Sequence, residues 1–267
     1  MWEDFSHTVG FWADMKNPYV TYHNDYIESE WWALKEIWKK GLLYEGHKIV
    51  PYCPRCGTPL SSHEVAQGYK DVKERSAVVR FKVKGEDAYI LAWTTTPWTL
   101  PSNVALCVNP DEDYVKVTSK GYTYYMAAAL VDTVLGEGAE ILEHYQGKDL
   151  EFKEYEPLFP YAEKRIGNKK AYYVVCDTYV TLTDGTGVVH IAPAFGEDDS
   201  KVGHRYDLPF VQLVNEKGEM TEETPWQALS ARKQIWPFCR HSRIKTFCLM
   251  RRCSSTATRT AGDAILR

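Results

Sequence analysis

The chain contains 267 residues, 44% of them apolar and 25% charged, as is ordinary for a soluble globular protein with one large domain or a domain and a small module. It has no apolar run of about 18 residues, so we expect no membrane span. No basic segment followed by an apolar one lies near its start, so we expect no signal peptide and a cytoplasmic setting. In that setting the seven cysteines would be thiols or metal ligands. The formal net charge of −4 combines a basic segment, residues 227–267, with an acidic remainder that is poorly suited to hold RNA unaided.

The first predicted element is a helix over residues 25–41. Ile27, Trp31 and Leu34 recur at helical spacing, and Gly41 is placed to end the helix.

A cysteine pair marks the next segment, residues 47–65, which we interpret as a knuckle rather than a strand pair. Cys53 and Cys56 stand in the string Cys-Pro-Arg-Cys-Gly, and two thiolates on one tight turn can fill two corners of a tetrahedral zinc site. The alternative is a pair of buried free thiols. The later cysteines do not repeat the spacing, so the sequence predicts an incomplete zinc half-site.

The remaining elements are mostly strands. Alternating or β-branched runs predict strands at Ala77–Val83, Tyr89–Trp93, Ala105–Val108, Tyr114–Val117, Tyr122–Met126, Tyr172–Val175 and Gly187–His190. Short helices are predicted near Ala127–Leu135 and Glu197–Arg205. The pattern indicates an α+β domain, rich in strands, with barrel-like closure.

A threonine-rich string follows the second of these strands. It reads Trp93-Thr94-Thr95-Thr96-Pro97-Trp98-Thr99-Leu100-Pro101-Ser102-Asn103. The three consecutive hydroxyls can each donate one hydrogen bond and accept others. The two prolines stiffen the backbone, so the string predicts a strand end followed by a rigid loop. An ordinary turn rich in Thr and Pro is the alternative.

A second string combines a histidine with an acidic cluster. It runs Gly185-Thr186-Gly187-Val188-Val189-His190-Ile191-Ala192-Pro193-Ala194-Phe195-Gly196-Glu197-Asp198-Asp199. His190 follows an apolar run directly, and Pro193 and Gly196 predict a loop before the acids. Taken singly, the histidine is consistent with a strand-end residue whose hydrogen bonds are satisfied within the fold. The acidic residues are consistent with the solvated first turn of a helix.

Together the two strings resemble the editing pocket of isoleucyl-tRNA synthetases, which are class I enzymes. The likeness covers nearly all of residues 1–226, including segments 27–35 and 51–65. Leucyl and valyl relatives share the inserted editing domain but usually have Arg where Thr96 stands here, so the resemblance points to the isoleucine family.

The resemblance implies an organisation for the whole chain. Residues 1–45 would be a helical connection to an absent catalytic domain, 46–72 a segment like a zinc knuckle, 73–226 a barrel-like editing domain, and 227–267 a basic disordered tail. The implied partner is tRNA(Ile) mischarged with valine. We find no HIGH-like, KMSKS-like or P-loop string, so ATP would serve only the full-length ligase.

The resemblance also implies roles for individual residues. Asp199 would bind the α-ammonium of the mischarged amino acid, and His190 would border a pocket that rejects isoleucine by size. The residues that hold the terminal adenosine and ester and position a water would be Thr94, Thr95, Thr96 and Thr99. Trp93, Pro97, Asn103 and Gly187 are predicted to contact substrate.

The basic tail suggests a frameshift. Reverse translation of residues 249–267, read from the third base of each codon, permits DAPVFEHSYPHCWRCDTP, which resembles the segment after the editing domain in this family and contains a second Cys-x-x-Cys. Two other interpretations remain open: a non-catalytic zinc-ribbon module that binds tRNA, and an inert gene fragment.

Overall fold

The structure is a computed structural model that describes residues 1–46, 48–53, 55–66 and 76–231. It divides into two compact units, Met1–His47 and Lys48–Arg267. The frameshift hypothesis and the last three cysteines lie outside the described residues.

The first unit is helical. Helices α1 (Trp2–Thr8) and α2 (Asn24–Lys39) contain no buried residue. The predicted helix over residues 25–41 is thus confirmed as α2, and Gly41 follows it with φ of 67°. Sequence patterning missed α1, which is too short to show a helical period.

The second unit begins with the cysteine knuckle. Strands β1 (Tyr52–Cys53) and β2 (Thr58–Pro59) pair in antiparallel fashion, and helix α3 (Ser62–Ala66) follows. The prediction that this segment lacks a strand pair was therefore wrong. The chain reverses at Gly57, whose φ of 67° suits glycine and whose N–H donates to the Cys53 carbonyl oxygen at 2.8 Å.

Eight strands of the described residues form one mixed sheet. They are β3 (Ala77–Lys82), β4 (Tyr89–Thr94), β5 (Ala105–Val108), β6 (Asp113–Ser119), β7 (Tyr122–Ala127), β8 (Glu140–Gln146), β9 (Tyr173–Cys176) and β10 (Val188–Ile191). Their order is β8-β6-β7-β4-β10-β5-β9, with β3 paired to β4. The sheet forms a half-barrel, and together with helices α4 (Val131–Leu135), α5 (Glu163–Ile166) and α6 (Glu197–Arg205) it confirms the predicted α+β class.

One pairing decides where the functional residues lie. Strands β4 and β10 run parallel, with Val189 opposite Trp93. Parallel neighbours end at the same edge of a sheet, so the segments that follow β4 and β10 emerge side by side. The later parts of both predicted motifs are these segments.

Helix α6 is fixed to the sheet by its apolar side. Val202 is fully buried in a cluster with residues of β5 and β9, and Gly203 packs so closely on the preceding loop that an added Cβ would lie 3.0 Å from Pro193. Residues three apart share a helix face, so Asp199 is held on the same side of α6 as Val202.

No helix in the described part of the chain has the length and apolar character needed to cross a membrane. Residues 227–231 of the predicted disordered tail form backbone hydrogen bonds with earlier residues of the second unit. The N–H of Ala231 donates to the Gly218 carbonyl oxygen at 2.9 Å, and Ala231 itself is buried.

Candidate functional site

The threonine string turns sharply at the end of β4. The backbone N–H of Thr96 donates to Thr94 Oγ1 at 3.0 Å, and the two hydroxyl oxygens lie 3.4 Å apart. The predicted rigid loop is in fact a 3₁₀ helix, Pro97–Ser102. Proline suits its first position because the N–H it lacks would have no partner inside the helix. The result is a fixed arrangement of hydroxyls at the sheet edge.

A hydrogen bond joins the two motifs. Thr99 Oγ1 lies 2.8 Å from the Thr96 carbonyl oxygen and 2.9 Å from His190 Nε2. A hydroxyl has one proton, and the carbonyl can only accept, so Thr99 donates to Thr96 and accepts from His190. His190 therefore carries its proton on Nε2, and Nδ1 is the bare acceptor.

The environment keeps His190 neutral. Its side chain is 6% exposed, and Nδ1 is buried without a hydrogen-bond partner among the described residues. Burial lowers the pKa of His190 to about 4, because the charged form would lose its hydration. A buried imidazole with this pKa is neutral near pH 7 and is poorly suited to act as a cationic acid there.

Asp199 stands in the first turn of α6, facing the loop after β10. Its Oδ2 accepts from the Ala192 N–H at 2.9 Å, and the Tyr179 hydroxyl donates to Oδ1 at 3.4 Å. Burial raises the pKa of Asp199 to about 6, and the neighbouring Asp198 charge adds to the rise. At neutral pH the site thus holds a carboxylate that is poorly solvated and would gain from a cation.

Three other predicted residues lie in or beside the threonine string. Trp93 is half-buried, and an added Cβ at Gly185 would lie 2.9 Å from its ring and its Cβ. Pro97 is buried at the start of the 3₁₀ helix. Thr95 is half-buried, and within the described structure no side-chain hydrogen bond engages its hydroxyl, which leaves it available to a ligand.

Two predicted substrate contacts have structural roles in this fold. The Asn103 carboxamide donates to the Ala105 carbonyl oxygen at 2.8 Å and accepts from the Tyr155 hydroxyl at 2.6 Å. Gly187 lies just before β10, at the end opposite His190, where an added Cβ would approach Ala127 Cβ to 2.4 Å. The geometry does not bring either residue to the edge, and their contact with substrate stays a prediction.

Sequence reasoning did not find Tyr179. It lies 20 residues before Asp199 in the segment between β9 and β10, outside both motifs. A lone tyrosine in a loop carries no pattern, so only the folded structure reveals the contact.

The cysteine knuckle brings Cys53 and Cys56 close together through a backbone hydrogen bond. The Cys56 N–H donates to Cys53 Sγ at 3.3 Å, and this bond lowers the pKa of the Cys53 thiol. The hydrogen bond and the lower pKa favour the thiolate of Cys53, and the thiolate is the form of cysteine that binds zinc. Within the described ranges, no group of three His, Cys, Asp or Glu residues could hold a metal ion.

Known proteins match this chain in sequence and in fold. Residues 1–246 match the family described as tRNA synthetases class I (I, L, M and V). Isoleucine–tRNA ligases of Clostridium acetobutylicum and Clostridium novyi are 60% and 57% identical over 235 residues, covering 87% of this chain but 22% of each relative. The chain thus spans about a fifth of the length of these curated relatives.

The fold comparison agrees. The editing domain of the P. knowlesi cytosolic leucyl-tRNA synthetase superimposes with a TM-score of 0.50 and 13% identity, over 69% of this chain and 99% of that domain. At this identity the match concerns fold alone. The chain therefore belongs to the class I tRNA synthetases, in the isoleucine–tRNA ligase family, and its second unit has the fold of a synthetase editing domain.

Proposed function

We propose that the chain hydrolyses valine esterified to tRNA(Ile), the proofreading reaction of an isoleucine–tRNA ligase. The main support is the meeting of Thr94–Thr96 with His190 and Asp199 at one sheet edge. Valine lacks one methylene of isoleucine, and binding separates such a pair by only about 1–3 kcal/mol, a magnitude already known for these ligases. A second, hydrolytic site that admits only the smaller amino acid supplies the missing discrimination.

Recognition of the amino group falls to Asp199. An aminoacyl ester carries a free α-ammonium, whereas a peptidyl ester, whose α-amine is acylated, and an uncharged tRNA end do not. Charge-assisted hydrogen bonds are the strong ones, and Asp199 is partly exposed. Each of its oxygens accepts one internal hydrogen bond, so further lone pairs are free to accept from a ligand. The ammonium would also relieve the cost of the buried negative charge.

Discrimination by size falls to His190. Its hydrogen bond to Thr99 fixes the ring plane at the edge of the sheet, and its neutral state avoids repulsion of the ammonium. A rigid wall at this point would leave room for the valine side chain and exclude the additional methylene of isoleucine.

The hydrolytic step needs no side-chain nucleophile. In the described residues no Ser, Thr or Cys at this edge is paired with an unprotonated base, since His190 donates to Thr99. We infer that a water attacks the ester carbonyl directly, oriented by Thr94, Thr95 and Thr96. Proximity provides most of the acceleration, with assistance from the neighbouring ribose hydroxyl of the substrate.

A deacylation assay tests this proposal. The chain is mixed with Val-tRNA(Ile) and with Ile-tRNA(Ile), and the spontaneous hydrolysis of each is subtracted. We expect selective loss of valine, and we expect Asp199→Ala to lose it. A folded wild-type chain that hydrolyses neither ester would refute the proposal.

A matched substrate isolates the role of Asp199. The tRNA ester of 2-hydroxy-3-methylbutanoic acid has the shape of the valyl ester but no ammonium. Wild type and Asp199→Ala should hydrolyse it at similar rates, whereas they should differ on Val-tRNA(Ile). Equal rates of the two proteins on Val-tRNA(Ile) would remove Asp199 from the mechanism.

The remaining attributes follow from the same assignment. We infer that Cys53 and Cys56 hold two corners of a structural Zn²⁺ site, which would stabilise the knuckle without entering the reaction. We also infer that tRNA(Ile) is the partner, that the catalytic domain and its ATP belong to the full-length ligase, and that the protein is cytoplasmic.

A further inference from the structure

We propose that Tyr179 is a positioning residue, which holds the Asp199 carboxylate in the orientation that receives the α-ammonium of the substrate. This inference rests on the proposed editing function and assigns to it a residue outside both recognised motifs. The direct contact is the hydrogen bond from the Tyr179 hydroxyl to Asp199 Oδ1, at 3.4 Å. The bond is long, so its role is to fix orientation more than to supply binding energy.

The second oxygen of Asp199 is fixed from another direction. Oδ2 accepts from the Ala192 N–H at 2.9 Å, in the loop that directly follows β10. With one donor at each oxygen, from two different segments, the carboxylate cannot rotate without losing a bond. Ala192 contributes through its backbone, so Tyr179 is the side chain whose replacement tests this arrangement.

Tyr179 is itself held against α6. Its backbone N–H donates to Asp177 Oδ1 at 3.1 Å, and Asp177 Oδ2 forms an ion pair with Arg205 Nη1 at 2.8 Å. Arg205 and Asp199 lie at opposite ends of α6, so the segment from Asp177 to Tyr179 bridges the whole helix. These contacts fix the backbone of Tyr179 relative to the end of α6, while its hydroxyl reaches the first turn of the same helix.

No cation in the described structure competes for this role. The titratable groups that interact with Asp199 are Tyr179 in the loop, Asp198 on α6 and Cys107 on β5, and Asp199 forms no ion pair with a described residue. The anion is therefore stabilised by neutral donors alone: the Ala192 N–H, the Tyr179 hydroxyl and the backbone N–H of Asp199 itself. Loss of one donor must disfavour the charged form, because hydrogen bonds to a carboxylate stabilise its ionised state.

The test is the pH profile of Val-tRNA(Ile) hydrolysis by the full chain carrying Tyr179→Phe. In wild type, activity should rise with pH as Asp199 ionises. In Tyr179→Phe the midpoint should move upward by about half a unit, because the lost bond is long, with much of the rate recovered at higher pH. A purely structural role would lower the rate equally at every pH.

Tyr145→Phe is the matched control, because the Tyr145 hydroxyl also donates to a carboxylate, Glu143 on the exposed strand β8. It should leave the midpoint unchanged. Should Tyr179→Phe fail to fold, 3-fluorotyrosine at position 179 keeps the shape and strengthens the donor, and the midpoint should then move downward.

The outcomes separate the two claims. An inactive, folded wild-type chain would overturn the proposed function. An active wild type with an unshifted midpoint in Tyr179→Phe, or in the fluorotyrosine protein where the phenylalanine variant does not fold, would overturn the role of Tyr179 alone.

Discussion

Replacing Asp199 by Asn should stabilise the fold at alkaline pH while removing the ammonium anchor. Burial raises the pKa of Asp199 from 3.8 to about 6. The folded state therefore holds a proton that the unfolded chain has released between these values, and stability falls as pH rises through them. Well above pH 6 the loss is about 3 kcal/mol, from which the first helical turn returns about 0.3–1 kcal/mol by favouring the anion.

Asparagine keeps the shape and both internal contacts. Its amide oxygen can accept from the Ala192 N–H, and its NH₂ can donate to the Tyr179 oxygen, so the substitution removes only the charge. We expect Asp199→Asn to raise the free energy of unfolding by about 2 kcal/mol at pH 8 and by well under 1 kcal/mol at pH 4.

Urea unfolding followed by circular dichroism at the two pH values measures the effect. Asp198→Asn is the control, since its side chain is 58% exposed and pairs with Lys201, so it should change stability by less than about 0.5 kcal/mol. A wild type as stable as Asp199→Asn at pH 8, or a gain of the same size at pH 4, would show that Asp199 is not held as a strained anion.

Three further predictions concern the wall, the strand and the knuckle. The imidazole NMR signals of His190 should not titrate between pH 5 and 8, because its pKa lies at about 4, and a midpoint near 6.5 would contradict the burial argument. Gly187→Ala should lower the free energy of unfolding in urea by more than about 2 kcal/mol, because its Cβ would lie 2.4 Å from Ala127 Cβ. Gly121→Ala is the control: it has a similar φ and open space, so it should lower the free energy by about 1 kcal/mol. Equal losses in the two variants would exclude the clash. Zinc measured by atomic absorption should be weakly held by the purified chain and lost in Cys56→Ser, and tight stoichiometric zinc would contradict an incomplete site.

The sequence predicted the buried strands well because they are short apolar runs: β5 and β9 are buried throughout, and β6 alternates over part of its length. The strand β8 escaped prediction because it is an exposed edge, where Ile141 and Leu142 are 44% and 49% exposed and no buried face imposes a period of two. The 3₁₀ helix escaped because a run of Thr and Pro is equally typical of a loop.

The candidate site was predictable only as far as its motifs extend. The two strings identified Thr94–Thr96, His190 and Asp199, and the parallel pairing of β4 with β10 explains why they meet. Asn103 shares its motif with these residues, yet its carboxamide is used inside the fold. Proximity along the chain does not reveal which way a side chain points, and a sequence alone gives no sign of a contact such as the one from Tyr179.

The proposed hydrolysis has no side-chain nucleophile and would depend on fixed geometry, which the hydrogen bonds of this edge supply. Thr99 joins the 3₁₀ helix to His190 on β10, and Tyr179 joins a distant loop to Asp199 on α6, so each functional group is fixed by a different segment. Burial destabilises the charged form of both groups. The imidazole of His190 is therefore neutral, whereas the carboxylate of Asp199 is charged at neutral pH at a cost in the stability of the fold. In the proposed function an arriving ammonium would recover that cost, and this would make the site selective for aminoacyl esters before size is considered. The tests therefore have an order. The first asks whether the charge of Asp199 lets this edge recognise an amino acid at all, and the second asks whether the His190 wall selects which amino acid is accepted.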